Sequence, residues 1–170
     1  MKIQRAVISV SDKTGLAELA PFLKSCGVEI ISTGGTKRFL DELGVNPKEV
    51  SEHTKKEHRE AMEALGIKNI DMIVVNLYPF REVVAKGCTF EEAIENIDIG
   101  GPSMIRAAAK NYRYVTVVVD PADYPKIIEE MKAHDGGTTE ELRFSLAKKV
   151  FSLTSDYDRA IYDYLSRSKG

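Results

Sequence analysis

Short apolar runs alternate along the chain with longer segments in which apolar residues recur at helical spacing. The runs are rich in β-branched residues, and their length is typical of buried strands. They lie at residues 6–10, 28–32, 72–77 and 114–119. Strands that alternate with helices favour right-handed crossovers and a mostly parallel sheet. We therefore predict an α/β fold in which helices cover both faces of the sheet.

Capping and stop residues mark where the helices begin and end. The first helix carries its apolar side at residues 16–23, with Ser11 or Asp12 as its predicted cap and Gly27 as its stop. A glycine turn at residues 33–36 precedes a second helix, which is predicted to end at Gly44. These signals place a polar loop after each of the first two strands.

The second half of the chain is predicted to be mostly helical. Residues 89–92 form a capping box at the start of a short helix, and Pro102 is expected in the first turn of the next one. A long C-terminal helix is predicted from residue 138 towards residue 166. We expect residues 1–170 to form a single domain, since this length suits one sizeable core.

Charge and composition exclude several classes of protein. The 170 residues include 24 basic and 26 acidic side chains, for a formal net charge of −2, and 43% of the residues are hydrophobic. This balance is that of a globular protein, and the lack of a basic excess argues against broad nucleic-acid binding. No run approaches the ~20 apolar residues of a membrane span, and the N-terminal residues do not resemble a signal peptide. We predict a cytoplasmic protein with no nucleic-acid or membrane partner.

The cysteines and histidines offer no metal site in the sequence. Cys26 and Cys88 lie far apart and have no CxxC or metal-ligand spacing, which favours two reduced core thiols over a disulfide. His53, His58 and His134 do not form a credible ligand set either. The sequence therefore predicts no metal site.

Polar, glycine-containing loops follow the first two predicted strands. Ligands of an open parallel sheet bind outside the carboxyl ends of its strands. Hydroxyls and backbone N–H groups at a helix N-terminus form a natural phosphate site there. The candidate residues of the two loops are Ser11, Asp12, Lys13, Thr14, Thr33, Gly34, Gly35 and Thr36. The alternative is that Asp12 and Thr36 are simple helix caps and the glycines only make turns. Neither loop matches a GxGxxG or Walker-type motif.

Two later segments carry candidate acid–base groups. Asn76 closes the third strand and is followed by Tyr78 and Pro79, while Asp98 precedes a Gly-Gly turn and a Pro-started helix. Lys110 lies about three turns along that helix, so its distance from the carboxylate depends on the loop. The alternative is a capping Asp98 and a solvated Lys110.

Four of these segments, in this order, carry a family resemblance. They read ISVSDKTG at 8–15, STGGT at 32–36, NLYPF at 76–80 and NIDIGGPSMIRAAAKN at 96–111. Together they resemble the inosine monophosphate (IMP) cyclohydrolase domain of the bifunctional purine biosynthesis proteins, where a formyltransferase domain follows it. The resemblance covers nearly the whole chain and implies the methylglyoxal-synthase-like α/β fold.

The resemblance also implies a reaction, a ligand and residue roles. The reaction closes the ring of 5-formamidoimidazole-4-carboxamide ribotide to give IMP and water, without a cofactor. The family works as a dimer, so a homodimer is possible. The implied catalytic residues are Lys110 as proton donor and acceptor, with Asp98 and Tyr78 as partners. The implied ribotide-binding residues are the two loops named above together with Asn76, Ile99, Gly100 and Gly101.

The chain departs from the family pattern at one place. After residues 50–54 the family carries a segment with a GGRVKTLHP-like motif, which supplies an arginine and a lysine to the substrate site, and this sequence lacks it. The formyltransferase domain is also expected to be absent, because the chain stops about where the family's first domain ends.

Three other functions remain open on the sequence. They are a nucleotide-binding or regulatory module of the same fold, a methylglyoxal synthase, and a truncated scaffold without activity. The joint presence of Tyr78, Asp98 and Lys110 favours the enzyme, whereas the missing basic segment favours binding without turnover. The catalytic Asp and His pattern of methylglyoxal synthases is not evident here.

Overall fold

The computed structural model describes residues 1–49 and 69–167. In these two ranges, five parallel strands form one sheet. The strands are β1 (Arg5–Ser9), β2 (Glu29–Ser32), β3 (Lys48–Glu49), β4 (Met72–Val75) and β5 (Thr116–Val118). Their spatial order is β3-β2-β1-β4-β5, so the chain first moves outwards from β1 to one edge and then crosses to the other side. The order therefore reverses between β1 and β4, and a crevice is expected at their carboxyl ends.

Helices connect and cover the strands. They are α1 (Leu16–Ser25), α2 (Gly34–Glu42), α3 (Phe80–Ala85), α4 (Phe90–Glu95), α5 (Gly100–Lys110), α6 (Tyr124–Ala133) and α7 (Glu140–Arg167), with a 3₁₀ turn at Pro121–Asp123. Helix α1 packs on β2 and α6, whereas α5 packs on β4, β5 and α7. All three residues of β5 are fully buried, as expected for a strand covered on both faces. The predicted α/β fold with a long C-terminal helix is confirmed.

Helix starts differ from the prediction at the first loop. Gly15, with φ of +70°, is the N-cap residue that precedes α1, and no side chain caps this helix. Asp12 instead accepts the N–H of Thr14 at 2.9 Å, which forms a local turn before the helix. The predicted cap at Ser11 or Asp12 is therefore wrong, because the loop continues for several residues and ends at Gly15, whose left-handed backbone favours glycine.

Other local predictions fare better. The capping box is present, since Thr89 accepts the N–H of Glu92 and Glu92 accepts that of Thr89. Cys26 and Cys88 are both free, as predicted. Cys26 is exposed, however, so the prediction that it is a core thiol is wrong. Among the helices that the structure describes, none combines the length and apolar character needed to cross a bilayer.

A second, small apolar cluster joins α3 and α4 to α7. Its buried members are Phe80, Ala93 and Tyr157. The ring of Phe80 meets that of Tyr157 edge-on, with centroids 6.3 Å apart. Phe80 follows the carboxyl end of β4 by only a few residues, so this cluster ties the long helix to the loops at the crevice.

Candidate functional site

A cavity of about 510 Å³ opens at the carboxyl ends of β1, β2 and β4. The residues that line it are Ser9, Val10, Ser11, Lys13, Thr33, Gly34, Gly35, Thr36, Val75, Asn76, Tyr78, Ile97, Asp98, Ile99, Gly100, Gly101 and Met104. Most of the candidate residues are thus brought together, but Asp12, Thr14 and Lys110 are outside this lining. Ile97 and Met104 were missed by the sequence reasoning. Only their place in the sequence could have indicated them: Ile97 directly precedes Asp98, and Met104 lies one helical turn beyond the predicted glycines.

The N-terminus of α2 is the part of the cavity best suited to an anion. The first N–H groups of a helix have no acceptor within the helix, and the helix dipole adds positive potential there. Gly34, Gly35 and Thr36 occupy these positions, and no acceptor for their N–H groups is found in residues 1–49 or 69–167. Lys13 lines the same cavity and adds a cationic side chain. Nothing lies within 4 Å of a Cβ built on Gly34 or Gly35, so a ligand can approach this backbone closely.

The side chain of Thr36 holds the loops together instead of facing a ligand. Its Oγ1 accepts the N–H of Val10 and donates to the carbonyl oxygen of Val10, at 3.0 Å in each case. Thr36 is 5% exposed. The buried hydroxyl therefore fastens the end of β1 to the first turn of α2. Only the backbone N–H of Thr36 remains for the predicted phosphate contact.

Asn76 organises the opposite wall of the cavity. Its Oδ1 accepts the backbone N–H groups of Ser11 and Asp12, at 2.7 and 3.1 Å, and lies 2.8 Å from the Ser11 hydroxyl. Its Nδ2 donates to the carbonyl oxygen of Asp12 at 2.8 Å. Asn76 thus joins the loops after β1 and β4 across the point where the strand order reverses. The side-chain amide of Asn76, which was predicted to contact the base, is used mainly in the hydrogen bonds that shape this wall.

Asp98 is held at the start of α5 by two backbone donors. Its Oδ1 accepts the N–H of Gly101 at 2.8 Å, and its Oδ2 accepts the N–H of Tyr78 at 3.3 Å. A Cβ on Gly101 would lie 2.5 Å from Oδ2 of Asp98, so only glycine permits this arrangement. Each carboxylate oxygen has a second lone pair, which leaves acceptor capacity for a ligand in the cavity.

Tyr78 and Ile99 stand at the mouth of the cavity. Their side chains are 51% and 74% exposed, which is unusual for residues of this size. Tyr78 also lines a neighbouring hollow of about 450 Å³, together with Asp12 and the apolar side chains of Leu77 and Leu153. An aromatic ring and an aliphatic side chain exposed beside Asp98 provide surfaces on which a planar heterocycle can pack.

Asp12 and Thr14 act on the shape of the first loop. The Thr14 N–H donated to Asp12 lowers the pKa of this carboxyl from its ordinary value, with a smaller contribution from the charge of Lys13. The carboxylate is exposed and stays ionised near neutral pH. Their geometry supports a role in presenting Ser11 and Lys13. Asp12 and Thr14 are themselves outside the cavity lining, and their direct contacts with the ribotide stay a prediction.

Lys110 is outside the residues that line the cavity. It is the last residue of α5 and is exposed, whereas Gly100 at the first residue of this helix lines the cavity. Ten residues of α-helix rise by ~15 Å, so the backbone of Lys110 lies about that far along the helix axis from Gly100. Proton exchange between Lys110 and a ligand beside Asp98 stays a prediction.

Metal chemistry has no candidate in the described part of the chain. Within it, His, Cys, Asp and Glu side chains form no group of three that could hold an ion. The departure from the family pattern after Thr54 falls at residues 50–68, outside the described residues.

Two family models match the chain. Residues 15–103 match the MGS-like domain, and residues 108–170 match the AICARFT/IMPCHase bienzyme. The crystal structure of ForH is similar as well, with a TM-score of 0.77 at 27% identity. That match covers 95% of this chain and 98% of the ForH chain.

Curated relatives share about half of the residues. The bifunctional purine biosynthesis protein PurH of Magnetococcus marinus is 50% identical over 97% of this chain, and that of Chlorobium phaeobacteroides is 49% identical over 98%. The PurH of Neisseria meningitidis is 46% identical over 96%. The chain spans only 36–37% of the length of these relatives.

The alignments are longer than the chain. The alignment with the Magnetococcus protein has 192 positions, whereas 97% of 170 residues is about 165, so about 27 positions have no counterpart in this chain. This excess fits the predicted absence of an internal segment. The chain therefore belongs to the MGS-like domain family, and it aligns with about a third of the length of the bifunctional purine biosynthesis protein PurH.

Proposed function

We propose that the chain binds a purine ribotide in the cavity and closes its second ring, converting 5-formamidoimidazole-4-carboxamide ribotide into IMP and water. One observation carries the proposal. A helix N-terminus with open N–H groups, a lysine, a carboxylate and an exposed tyrosine all line a single cavity. This arrangement matches a ligand with a phosphate at one end and a reacting amide at the other.

The reaction forms one C–N bond and expels one water. The carboxamide nitrogen attacks the formyl carbon of the same molecule, and the formyl oxygen leaves as water with two protons, one from the carboxamide nitrogen and one from the formamide nitrogen, which becomes doubly bonded to the former formyl carbon. An amide is a weak nucleophile and hydroxide a poor leaving group. The site must therefore hold the two arms close together and move protons between them.

The phosphate end is assigned to α2 and the first loop. The backbone N–H groups of Gly34, Gly35 and Thr36 would donate to phosphate oxygens, and Lys13 would add a charge-assisted hydrogen bond. Thr33 lines the cavity beside them. Ser11 and Asn76 would shape the wall along which the ribose lies.

The reacting end is assigned to the start of α5. The carboxylate of Asp98 would accept a proton from the attacking amide, and the hydroxyl of Tyr78 would donate to the departing oxygen. Ile99 would pack on the base, and the backbone at Gly100 and Gly101 would frame it. Lys110 is outside the cavity lining, so the first proton transfers are assigned to Asp98 and Tyr78, and Lys110 is assigned as a further proton donor and acceptor.

Binding without turnover is the second candidate. It is favoured by the position of Lys110 outside the cavity lining and by the aligned positions of the PurH relatives that this chain lacks. In the family pattern, the absent segment supplies two further cations. A cavity that keeps the phosphate end but has a weakened reacting end would bind a ribotide and release it unchanged.

The test combines turnover with binding on the same preparation. The purified chain is incubated with the formamido ribotide while the absorbance of IMP is followed, and calorimetry measures its affinity for IMP and for inosine. Inosine is the matched control because it lacks only the phosphate. Enzymatic formation of IMP supports the cyclohydrolase, and saturable IMP binding without turnover supports the second candidate. A chain that neither turns over nor prefers IMP to inosine contradicts both.

A further inference from the structure

A buried hydroxyl group lies directly behind Asp98. Tyr157, on the long helix α7, is 8% exposed, and its Oη accepts the backbone N–H of Asp98 at 2.9 Å. The same oxygen lies 3.5 Å from the carbonyl oxygen of Asn96, to which the hydroxyl can donate. These groups are 59 residues or more apart in the sequence, so the contact is made by the tertiary fold.

This contact completes the anchoring of Asp98. The two carboxylate oxygens of Asp98 are held from the cavity side by the N–H groups of Gly101 and Tyr78. Its backbone N–H is held from the core side by the hydroxyl of Tyr157. Without this hydroxyl, the partly buried N–H of Asp98 would lose its acceptor, which is unfavourable and frees the loop to move.

The ring of Tyr157 also supports the segment that carries Tyr78. It packs edge-on against Phe80, with ring centroids 6.3 Å apart. Phe80 is buried and lies two residues after Tyr78, as the first residue of α3. One side chain therefore contacts both segments that bear the proposed proton-transfer groups, with its ring on one and its hydroxyl on the other.

The electrostatics keep this hydroxyl protonated. Burial raises the pKa of Tyr157 above its ordinary value, the hydrogen bond from the N–H of Asp98 opposes this, and the negative charge of Asp98 adds to the increase. The group therefore retains its proton throughout the neutral range. It can accept from Asp98 and donate towards Asn96 at the same time.

We propose that Tyr157 is a positioning residue, which fixes the positions of Asp98 and Tyr78 relative to each other at the reacting end of the cavity. This rests on the proposed function for its catalytic meaning. Tyr157 is outside the lining of the cavity, although it lines the neighbouring hollow together with Tyr78. It acts through the placement of the two groups, so its loss should affect the chemical step more than binding.

The first test is Tyr157→Phe, which keeps the ring and removes the hydroxyl. We expect kcat for ring closure to fall about tenfold while KM changes by less than about twofold, because the phosphate end is untouched. Tyr162→Phe is the matched control, since it removes a hydroxyl from a 63% exposed position on the same helix and should behave like the unmodified chain. An unchanged kcat in Tyr157→Phe, or equal losses in both variants, would overturn the proposal.

A double-mutant cycle tests whether Tyr157 acts through Asp98. In the background of Asp98→Ala, removing the Tyr157 hydroxyl should reduce the residual rate by less than about twofold, since the group that it positions is gone. Independent, additive losses would contradict the proposed coupling.

Amide hydrogen exchange supplies a readout that does not need activity. The Asp98 N–H should exchange at least about tenfold faster in Tyr157→Phe than in the unmodified chain, with the Val74 amide in β4 as an internal reference. If the unmodified chain forms no IMP, the proposed function fails, but faster exchange at Asp98 still supports the anchoring. Unchanged exchange at Asp98 contradicts it whatever the activity.

Discussion

Two helices begin at the same cavity with a pair of glycines, but their N-termini have different chemistry. At α2, the N–H groups of Gly34 and Gly35 have no acceptor in the described residues, and the space in front of them is open. At α5, Asp98 already accepts the N–H of Gly101, and Pro102 has no N–H to offer. The N-terminus of α2 can therefore receive an anion from a ligand, whereas the N-terminus of α5 is already occupied by the carboxylate of Asp98.

This difference separates the two ends of the proposed ligand. A phosphate at α5 would meet the carboxylate of Asp98 and be repelled, while at α2 it meets open N–H groups and Lys13. The two Gly-Gly pairs thus have different uses. The pair at α2 allows close approach of a ligand, and the pair at α5 allows close packing of a carboxylate. Each of the following substitutions alters one side of this contrast.

The largest effect is expected from Asp98→Ala. Loss of the carboxylate removes the proposed proton acceptor and releases the N–H groups of Gly101 and Tyr78. The rate of IMP formation should fall about 10²–10⁴-fold, as for other general acid–base groups. Asp158→Ala, at an exposed position of α7, is the control and should keep full activity. A rate for Asp98→Ala within about threefold of the unmodified chain would remove Asp98 from the reaction.

Gly101→Ala should come next. The new methyl group would overlap Oδ2 of Asp98 and would lie 2.9 Å from a methyl carbon of Leu77. We expect a loss of about 1–3 kcal/mol in the free energy of unfolding, measured with urea, because such overpacking forces the neighbours to move. Activity should fall about 10- to 100-fold, since Asp98 is displaced. If the variant is as stable and as active as the unmodified chain, the tight packing of Asp98 on this glycine is refuted.

Lys13→Ala should weaken binding more than it affects the fold. Removing a charge-assisted contact to the phosphate should raise the dissociation constant of IMP about 10- to 100-fold. The affinity for inosine should stay the same, because that ligand has no phosphate. Calorimetry with both ligands measures this, and Lys126→Ala on the exposed side of α6 is the control. Equal losses for IMP and inosine would mean that Lys13 does not bind the phosphate.

The smallest effect is expected from Gly35→Ala. A Cβ at this position meets nothing within 4 Å, and its backbone conformation suits any residue, so stability should change by less than about 1 kcal/mol. The methyl group would occupy space that the phosphate approaches, and IMP binding should weaken about two- to tenfold. Together with Gly101→Ala, this pair compares the two helix starts directly. A destabilisation as large as that of Gly101→Ala would erase the distinction between them.

The sequence predicted the elements of the fold and most of the cavity lining. Alternating apolar runs and helical patterns were enough for the parallel sheet, because buried parallel strands and their crossovers leave strong local signals. The rule that ligands bind at strand ends then brought Ser11, Gly34, Asn76 and Asp98 together. These inferences needed only the order of the elements and the residue types at their ends.

What the sequence could not predict depended on distance or on hydrogen bonding across the fold. The contact of Thr36 with Val10 turned an expected ligand hydroxyl into a structural one. Lys110 is outside the cavity lining although it lies on the helix that begins at Gly100. Tyr157 gave no local signal of its role, since its partner at Asp98 is 59 residues away.

Titration of the isotopically labelled chain with IMP, followed by backbone amide NMR, tests the placement of the ligand most directly. The account predicts saturable shifts that are largest at the amides of Gly34 and Gly35, and that nearly vanish at these two amides when inosine replaces IMP. It also predicts smaller shifts, similar for both ligands, at Ile99 and Gly100. Phosphate-dependent shifts centred on Gly100, or no saturable response at Gly34 and Gly35, would contradict it.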